Sequence, residues 1–272
     1  TGSRGKSTMT TLIYEILSAS KKRRKVWLGG NILVSPLTFL HQVTVKDIVV
    51  LEMSSFQLEA TGEAGLSPQI AIMTNLLRDH LNAYPSMDEY AEAKAQIFRH
   101  QEPNNVVFFP ATSDFNQYAK EAPGTVVRVR QGTFKLSIPG EHNQMNASFA
   151  NAVASKLGVK QPMIKKVLKS FKGLPFRQQI VAVKKGVTFV NDSTSTMPDA
   201  TMAALRAQSG KHKAQSKSHL LFGGNDKELE FDEVAKLIKK LKPKVYLMPG
   251  DADVKIVKAF RDAGVSFTAY AA

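Results

Sequence analysis

The chain has 272 residues, of which 43% are hydrophobic and 22% are charged. This composition is typical of globular domains and excludes disordered, collagen-like and fibrous proteins, while the length favours two domains. There is no cysteine, which excludes disulfide scaffolds, zinc–thiolate sites and thiol catalysis and is compatible with a reducing cytosol. Lysine and arginine exceed aspartate and glutamate by 14, which favours an anionic partner.

The first half of the chain alternates between helix and strand patterns. The longest apolar runs have the length of strands and are too short to span a bilayer. Residues 48–52 form an apolar run that ends in a carboxylate, which predicts a buried parallel strand with a functional end. In chain order we predict helix 9–18, strand 26–28, turn 29–31, strands 48–52 and 70–75, helix 87–100, strand 106–109, helix 115–120, and strands 125–129 and 133–137.

The second half shows the same alternation after a stretch of turn residues. Gly173, Leu174 and Pro175 separate two predicted helices from a strand pair, and we place the domain boundary there. Strands alternating with helices predict parallel α/β sheets in both halves. The predicted elements are helices 140–157 (with its entry loop) and 163–171, strands 179–183 and 187–191, helix 200–208, strand 219–222, helix 231–241, strand 245–248, helix 254–263 and strand 265–270.

Gly5-Lys6-Ser7 is the second half of a phosphate-binding loop, G-x-x-x-x-G-K-[ST]. In such a loop the glycines let backbone N–H groups close around phosphate oxygens, the lysine neutralises them and the hydroxyl binds Mg²⁺. The helix predicted next would add a partial positive charge at the same place. No strand leads into the loop before Thr1, so we expect a truncated chain. The half-motif alone is also compatible with a chance match at a helix start.

Further motifs, in their order and spacing, resemble the Mur ligases, the ATP-dependent amide ligases of peptidoglycan precursor synthesis. The resemblance covers nearly the whole chain, and residues 54–58 are most similar to the member that adds D-glutamate. The phosphate loop is similar to the family's shortened kind, whose first glycine matches Gly2. The motifs are residues 1–8 and 52–58, Asn75, Asp79-His80, Lys94, residues 140–143 with Asn146-Ala147, Leu174-Pro175 with Arg177, and Asn191-Asp192-Ser193.

The resemblance implies an α/β fold with two domains. Residues 1–173 would form a central P-loop ATPase domain with a mostly parallel sheet, and residues 174–272 a Rossmann-like domain that binds the amino acid. The implied reaction joins D-glutamate to UDP-N-acetylmuramoyl-L-alanine: ATP phosphorylates the substrate carboxylate, and the amino group of D-glutamate attacks the acyl phosphate. Charge builds up on the phosphoryl oxygens and the tetrahedral centre, so catalysis is mostly positioning and cationic stabilisation.

The resemblance also implies ATP and Mg²⁺ as cofactors. Lys6 would contact the β- and γ-phosphates, and Ser7, Glu52 and His80 would bind the metal. Lys94 aligns with a lysine that is carbamylated in the family and would then support the metal site, although the residue pattern alone favours a solvated helix lysine. The implied catalytic residues are Lys6, His80 and Lys94. The implied ATP contacts are Gly2, Ser3, Gly5, Lys6, Ser7, Thr8, Asn146, Arg177 (phosphate) and Asp192 (ribose).

Four residues resemble positions that contact substrate: Asn31, Ser54, Thr196 and Lys227. Lys227 is similar to a lysine that binds the D-glutamate carboxylate, and Thr196 would hydrogen-bond to that group; an ordinary loop lysine is the alternative. The chain departs from the family at three positions: Arg4 stands where asparagine is usual, Thr194 where lysine is usual, and Met197 where asparagine is common. The departure at Thr194 bears on the identity of the added amino acid.

Two other functions fit parts of the sequence. Another Mur-type or folylpolyglutamate synthase-like ligase would share the phosphate loop and Lys94. A basic nucleic-acid-binding NTPase would explain the positive charge, but that charge is not interleaved with aromatic residues. We expect a UDP-linked muramoyl substrate and D-glutamate as partners, no nucleic acid, no membrane insertion, a monomer and a cytoplasmic location. We also expect that the family's first domain and C-terminal end are missing, so that the 272-residue chain folds but is inactive as a ligase.

Overall fold

The computed structural model describes residues 1–20, 24–32, 34–80, 83–209, 218–226 and 228–270. The chain divides into two compact units, Thr1–Lys172 and Gly173–Ala272. The helices are α1 Lys6–Ala19, α2 Ser55–Glu63, α3 Met87–Arg99, α4 Asn116–Glu121, α5 His142–Lys156, α6 Gln161–Ser170, α7 Pro198–Ser209, α8 Asp232–Leu241 and α9 Asp253–Asp262. The strands are β1 Val26–Gly30, β2 Ile48–Glu52, β3 Ile70–Ile72, β4 Val106–Pro110, β5 Thr125–Val129, β6 Gln179–Lys184, β7 Val187–Asn191, β8 His219–Phe222, β9 Lys244–Leu247 and β10 Phe267–Ala269.

The first unit contains two parallel sheets. β1 pairs with β2, and β4 lies between β3 and β5. The start of the chain lies beside β3, because the backbone nitrogen of Thr1 donates to Ile72 O at 2.8 Å. The phosphate loop, residues 2–8, therefore follows directly from the end of the β3–β5 sheet.

Helices cover these sheets and supply the core of the first unit. α1 packs against α5 and α6, and α2 packs against α3. The spacing of Leu12, Ile13 and Ile16 puts all three on the buried side of α1. A second cluster joins α2, α3 and the β3–β5 sheet; its largest buried members are Leu58, Met73, Phe98 and Phe109. These packed helices fix the loops at the strand ends, where the predicted site residues lie.

The second unit holds a parallel sheet and an antiparallel hairpin. The sheet has the order β10-β9-β8, and its core joins Val245 and Leu247 to Ile238 of α8 and Phe260 of α9. β6 and β7 form the hairpin, with an irregular register between Ile180 and Ala182. Parallel strands alternating with helices occur in both units, so the predicted α/β fold class is confirmed.

The sequence prediction is wrong in several details; one is the strand predicted over residues 70–75, which ends at Ile72. Residues 133–137 form no strand, because the side chain of Gln144 occupies the backbone hydrogen-bonding groups of Phe134. Phe134 N donates to Gln144 Oε1 at 2.8 Å, and Gln144 Nε2 donates to Phe134 O at 3.1 Å. Gly29 and Gly30 do not form a turn but complete β1, where they pair with Leu51 and Glu52. β2 has its predicted bounds but is not fully buried, since Leu51 is 40% exposed. In the part of the chain that the structure describes, no helix is long and apolar enough to cross a membrane.

Candidate nucleotide and metal site

The phosphate loop is held in a tight turn by glycine. Gly5 has φ +77° and precedes the first residue of α1, so Lys6, Ser7 and Thr8 form the first helical turn. A β-carbon at Gly5 would lie 2.3 Å from Asn146 Oδ1, so a larger residue would have to displace the buried side chain of Asn146. Backbone N–H groups at a helix start attract anions, and this turn brings Lys6 to the same place.

Side chains that follow β3 anchor the phosphate loop. Arg4 N donates to Asn75 Oδ1 at 2.8 Å, and Asn75 Nδ2 donates back to Arg4 O at 3.1 Å. Thr74 Oγ1 donates to the same Arg4 carbonyl at 2.8 Å. Neither Thr74 nor Asn75 was predicted as a site residue. The one sequence signal for this region is that Asn75 belongs to the set of motifs that resembles the family.

Ser3 and Lys6 have polar partners within the first unit. Ser3 Oγ donates to Leu77 O at 3.0 Å, and Leu77 N donates to Ser3 Oγ at 2.9 Å. Lys6 Nζ donates to the carbonyls of Gly2 at 2.9 Å and Ser3 at 3.1 Å. The ammonium group of Lys6 therefore lies across the mouth of the loop, where phosphate oxygens would be neutralised.

Glu52 lies at the carboxyl end of β2 and is only 3% exposed. Asn31 Nδ2 donates to its Oε1 at 3.2 Å, and the backbone nitrogen of Asn31 donates to Glu52 O at 2.8 Å. Oε2 of Glu52 is buried and has no hydrogen-bond partner among the described residues. A buried carboxylate oxygen without a donor fits a hard divalent cation, so the chemistry of Glu52 agrees with the predicted Mg²⁺ site.

Lys94 lies on the buried side of α3 and is 1% exposed. Burial, followed by the nearby charge of Lys6, lowers the pKa of Lys94 to about 7, while Asp79 acts in the opposite direction. A large fraction of the lysine is therefore neutral at pH 7, and the neutral amine is the form that reacts with CO₂. The prediction from the residue pattern alone, a solvated helix lysine, is wrong.

The charged groups at this end of the first unit interact with one another. The pKa of the Thr1 amino group is lowered to about 4, first by burial and then by Lys6 and Lys94, with Glu52 opposing. Lys6, Glu52 and Lys94 thus lie close enough to act on one buried group. The structure therefore brings three of the predicted site residues together.

His80 lies beside this group on the loop that follows β3. Its φ is +57°, an uncommon backbone conformation for a residue other than glycine, and such strain clusters at functional sites. The ring packs on Phe56 at 5.6 Å and Tyr90 at 5.8 Å between centroids, and Nε2 lies 3.6 Å from Asp79 Oδ2. The described residues contain no cluster of three or more histidine, cysteine, aspartate or glutamate side chains suited to a metal. A metal held by Glu52 and His80 would therefore need a further ligand of another type.

The helix α5 supplies the other wall of the phosphate loop. Asn146 Nδ2 donates to Asn143 Oδ1 at 3.0 Å, and Asn143 Nδ2 donates to Pro139 O at 2.6 Å. This arrangement directs Asn146 Oδ1 at Gly5. Asn143 is a site residue that the prediction missed, although it lies in the same motif as Asn146.

Ser54 and Asn31 occupy different settings. Ser54 caps α2: its Oγ accepts from Gln57 N at 3.2 Å, and Gln57 Oε1 accepts from Ser54 N at 3.0 Å. Its hydroxyl therefore already stabilises a helix start. Asn31 is exposed and lies against Glu52, so its amide reaches both the surface and the predicted metal position.

Arg177 and Asp192 are brought together within the second unit. Gln178 N donates to Asp192 Oδ1 at 2.9 Å, which ties the segment of Arg177 to the end of β7. Thr194 strengthens the link, since its Oγ1 donates to Phe176 O at 2.7 Å. The residues on either side of Arg177 have φ of +62° and +45°. Thr196 N donates to Thr194 O at 3.0 Å, and Lys227 lies outside the described residues.

Comparison with known proteins supports one family. The model of the Mur ligase middle domain matches residues 1–132. The UDP-N-acetylmuramoylalanine–D-glutamate ligase of Roseiflexus sp. (strain RS-1) is 32% identical over 297 residues, which cover 96% of this chain and 62% of the relative. The ligase of the same name from Acetivibrio thermocellus is 33% identical, over 96% of this chain and 59% of the relative. The chain thus spans about three fifths of the length of these curated relatives.

Solved structures show the same fold at lower identity. The UDP-N-acetylmuramoylalanyl-D-glutamyl-2,6-diaminopimelate–D-alanyl-D-alanyl ligase of Acinetobacter baumannii superimposes with a TM-score of 0.76 at 21% identity, over 98% of this chain and 65% of that one. The MurF ligase of Thermotoga maritima, solved in complex with ADP, gives a TM-score of 0.72 at 21% identity, over 91% and 65%. The resemblance predicted from the motifs is confirmed: residues 1–132 match the Mur ligase middle domain, and nearly the whole chain is similar to the two curated ligases.

Proposed function

We propose that the chain serves the ATP-dependent addition of D-glutamate to UDP-N-acetylmuramoyl-L-alanine, a step of peptidoglycan synthesis. Its similarity to two relatives named for this reaction supports the substrate. The site geometry supports the chemistry, since a phosphate loop, a buried carboxylate and a buried lysine lie at one end of the first unit. The observation that carries the proposal is Lys94, a buried lysine near Lys6 that forms no ion pair with any residue that the structure describes.

The first chemical step forms an acyl phosphate. A carboxylate oxygen of the muramoyl substrate attacks the γ-phosphorus of ATP, and the bond to the leaving ADP breaks. Lys6 would hold the phosphoryl oxygens whose charge increases in this step. The start of α1 would bind the remaining phosphates through backbone N–H groups, and Asn146 would line the nucleotide.

The second step forms the amide. The amino group of D-glutamate attacks the acyl carbon, inorganic phosphate leaves with one former carboxylate oxygen, and the amine loses a proton. Arg177 would bind phosphate and Asp192 the ribose, with Thr196 and Lys227 on the D-glutamate carboxylate. The hydrogen bonds from Gln178 to Asp192 and from Thr194 to Phe176 would keep Arg177 in place. On this assignment, residues 1–173 form the ATP-binding domain and residues 174–272 the amino-acid domain.

Glu52, His80 and Ser7 would hold Mg²⁺, which when bound offsets negative charge on the phosphoryl oxygens. Oε2 of Glu52 is buried and has no hydrogen-bond partner among the described residues, which supports this assignment. Lys94 would contribute as a carbamate: its neutral nitrogen bonds to the carbon of CO₂ and releases one proton, which converts the neutral amine into an anion. That anion would offset the positive charge around Lys6 and orient the metal ligands.

The test measures phosphate release from ATP with the muramoyl substrate and one amino acid at a time, using the longest form of the protein that its gene encodes. We expect turnover with D-glutamate and at least about 100-fold less with L-glutamate or L-lysine. Folate in place of the muramoyl substrate should give none. Turnover with another amino acid or with folate would support a different Mur-type or folylpolyglutamate synthase-like ligase. Stimulation by single-stranded DNA would favour the nucleic-acid-dependent NTPase.

The monomeric state and the cytoplasmic location stay predictions.

A further inference from the structure

Much of the net positive charge of the chain lies in one stretch without acidic residues. Residues 142–191 contain no aspartate or glutamate, but they contain eight lysines and one arginine. Six of these lysines fall between the end of α5 and the end of the first unit: Lys156, Lys160, Lys165, Lys166, Lys169 and Lys172. All six are exposed, and none forms an ion pair with any residue that the structure describes. We call these six residues, with Lys135 and Arg24, the basic surface.

Helix α6 presents its lysines on a rigid support. Its apolar residues Ile164, Val167 and Leu168 are buried against the first unit. Lys165 and Lys169 lie one helical turn apart, a spacing at which like charges repel and destabilise a helix. No carboxylate on α6 offsets that repulsion. Helix α6 therefore carries positive charge on its exposed side that no carboxylate of the helix balances.

Two concave features connect the basic surface. A groove of about 360 Å³ is lined by Lys135, Lys165 and Lys169, with Phe134 and Leu168 also in its wall. A smaller cavity of about 120 Å³ brings Arg24 next to Leu157 and Val159, the neighbours in sequence of Lys156 and Lys160. Positive side chains therefore surround a groove large enough for a phosphate-bearing headgroup and continue to the end of α1.

The basic surface extends along α6, from the ends of α1 and α5 that are remote from the phosphate loop to the groove, whose Phe134 is hydrogen-bonded to Gln144 in the first turn of α5. α1 begins at that loop and runs 14 residues, which is about 20 Å of helix, towards Arg24. α5 likewise begins with Asn143 and Asn146 beside the loop and ends at Lys156. The residues of the basic surface are distinct from those proposed to bind the nucleotide and the metal.

The composition of the basic surface distinguishes between anionic partners. It contains one arginine among eight cations, whereas nucleic-acid and phosphoprotein recognition favours arginine. The large apolar residues that are exposed lie outside residues 142–172, and the groove wall holds a single aromatic ring, Phe134, so the surface has neither a series of stacking rings for bases nor a dry centre for a protein interface. Clustered lysines without such features are typical of adsorption to anionic lipid.

We propose that the basic surface docks the protein on an anionic phospholipid bilayer, with headgroup phosphates in the groove between Lys135, Lys165 and Lys169. Binding is electrostatic and lies on the membrane surface, because the apolar side of α6 is already buried. The contact requires no nucleotide and no muramoyl substrate.

The experiment is sedimentation of the chain with vesicles. We expect binding to equal parts of phosphatidylglycerol and phosphatidylcholine at low salt, release at high salt, and no binding to phosphatidylcholine alone. The variant Lys165→Glu/Lys169→Glu should bind roughly tenfold or more weakly. The milder variant Lys165→Gln/Lys169→Gln should fall in between, and it covers the case in which the double glutamate variant fails to fold.

The matched control is Lys240→Glu/Lys258→Glu, which changes the net charge equally at two exposed lysines of the second unit. This control should keep its vesicle binding within about twofold. Equal losses in the test and control variants would show that only net charge matters and would overturn the proposal. Tighter binding to duplex DNA than to anionic vesicles, lost in the same test variant, would also overturn it and assign the surface to nucleic acid.

Discussion

The ammonium nitrogen of Lys94 lies 4.1 Å from the centre of the Tyr90 ring, one helical turn earlier on α3. The hydroxyl of the same tyrosine lies 3.3 Å from Ser3 Oγ in the phosphate loop. Tyr90 is fully buried, so it connects Lys94 to the phosphate loop through one rigid ring. Changes in the position of Lys94 and changes in the loop are therefore expected to affect each other.

Replacement of Lys94 tests the carbamate. We expect Lys94→Ala to reduce ligase activity by about 100-fold or more, because the site loses the anion that offsets the charge of Lys6. Acetate or propionate should restore part of the activity, since a small carboxylate can enter the space that the side chain leaves. Activity assays with and without these acids measure the effect. Full activity in the variant would contradict the role given to Lys94.

The stability of the chain should rise with pH because of Lys94. Its pKa is about 7 in the folded chain and near 10.5 when unfolded, so between these values the unfolded state binds more protons. We expect the free energy of unfolding to increase by roughly 1 kcal/mol per pH unit, and Lys94→Met to remove that slope. Urea unfolding in CO₂-free buffer from pH 8.5 to about 9.5 measures the slope, because the Thr1 amino group, whose pKa is near 8.0 when unfolded, is mostly deprotonated there in both states and the tyrosines titrate above this window. Identical slopes for both proteins would refute the assignment.

Glu52 should matter for the metal and little for the fold. We expect Glu52→Gln to leave the metal-free protein as stable as before, or up to about 1 kcal/mol more stable, because no described residue donates a hydrogen bond to Oε2. The added stability from ADP with MgCl₂ should disappear in this variant. Thermal unfolding with and without both ligands measures this, and Glu63→Gln, an exposed change on α2, is the control. A metal response that survives Glu52→Gln would exclude the site.

Gly30 in β1 can lie close to the backbone of Glu52 because glycine has no side chain. A β-carbon at Gly30 would lie 2.1 Å from Glu52 O, and φ there is +97°. We expect Gly30→Ala to cost about 3 kcal/mol or more of unfolding free energy. Gly65→Ala is the matched control, because φ is +67° but nothing lies within 4 Å, and it should cost only about 1 kcal/mol. Similar costs at the two positions would contradict the close contact.

The sequence predicts well those features that depend on local pattern. The bounds of β2, β5 and β8 agree with the prediction, since apolar runs flanked by polar residues define short parallel strands. The glycine and lysine of the phosphate loop are also local, because their roles follow from backbone conformation at a helix start. The burial of Lys94 is different: its helical spacing from Tyr90 and Phe98 puts it on the apolar side of α3, but full burial of that side depends on how α3 packs.

The features that the sequence does not predict depend on distant side chains. The side chain of Gln144 makes the backbone hydrogen bonds to Phe134 that a neighbouring strand would otherwise make. The pattern of residues 133–137 therefore does not result in a β-ladder. Asn75 holds the phosphate loop from 71 residues away in sequence. The left-handed conformations of Phe176 and Gln178 likewise have no local signal, because hydrogen bonds from Thr194 and to Asp192 hold them.

The most direct test of the proposed reaction follows one oxygen atom. The muramoyl substrate is labelled with ¹⁸O in its free carboxylate and incubated with ATP, D-glutamate and the longest form of the protein that its gene encodes, and the released phosphate is analysed by mass spectrometry. Formation of an acyl phosphate predicts that one labelled oxygen leaves in each phosphate, with ADP as the other product. Unlabelled phosphate, or release of AMP with the label in it, would contradict the proposed acyl-phosphate chemistry.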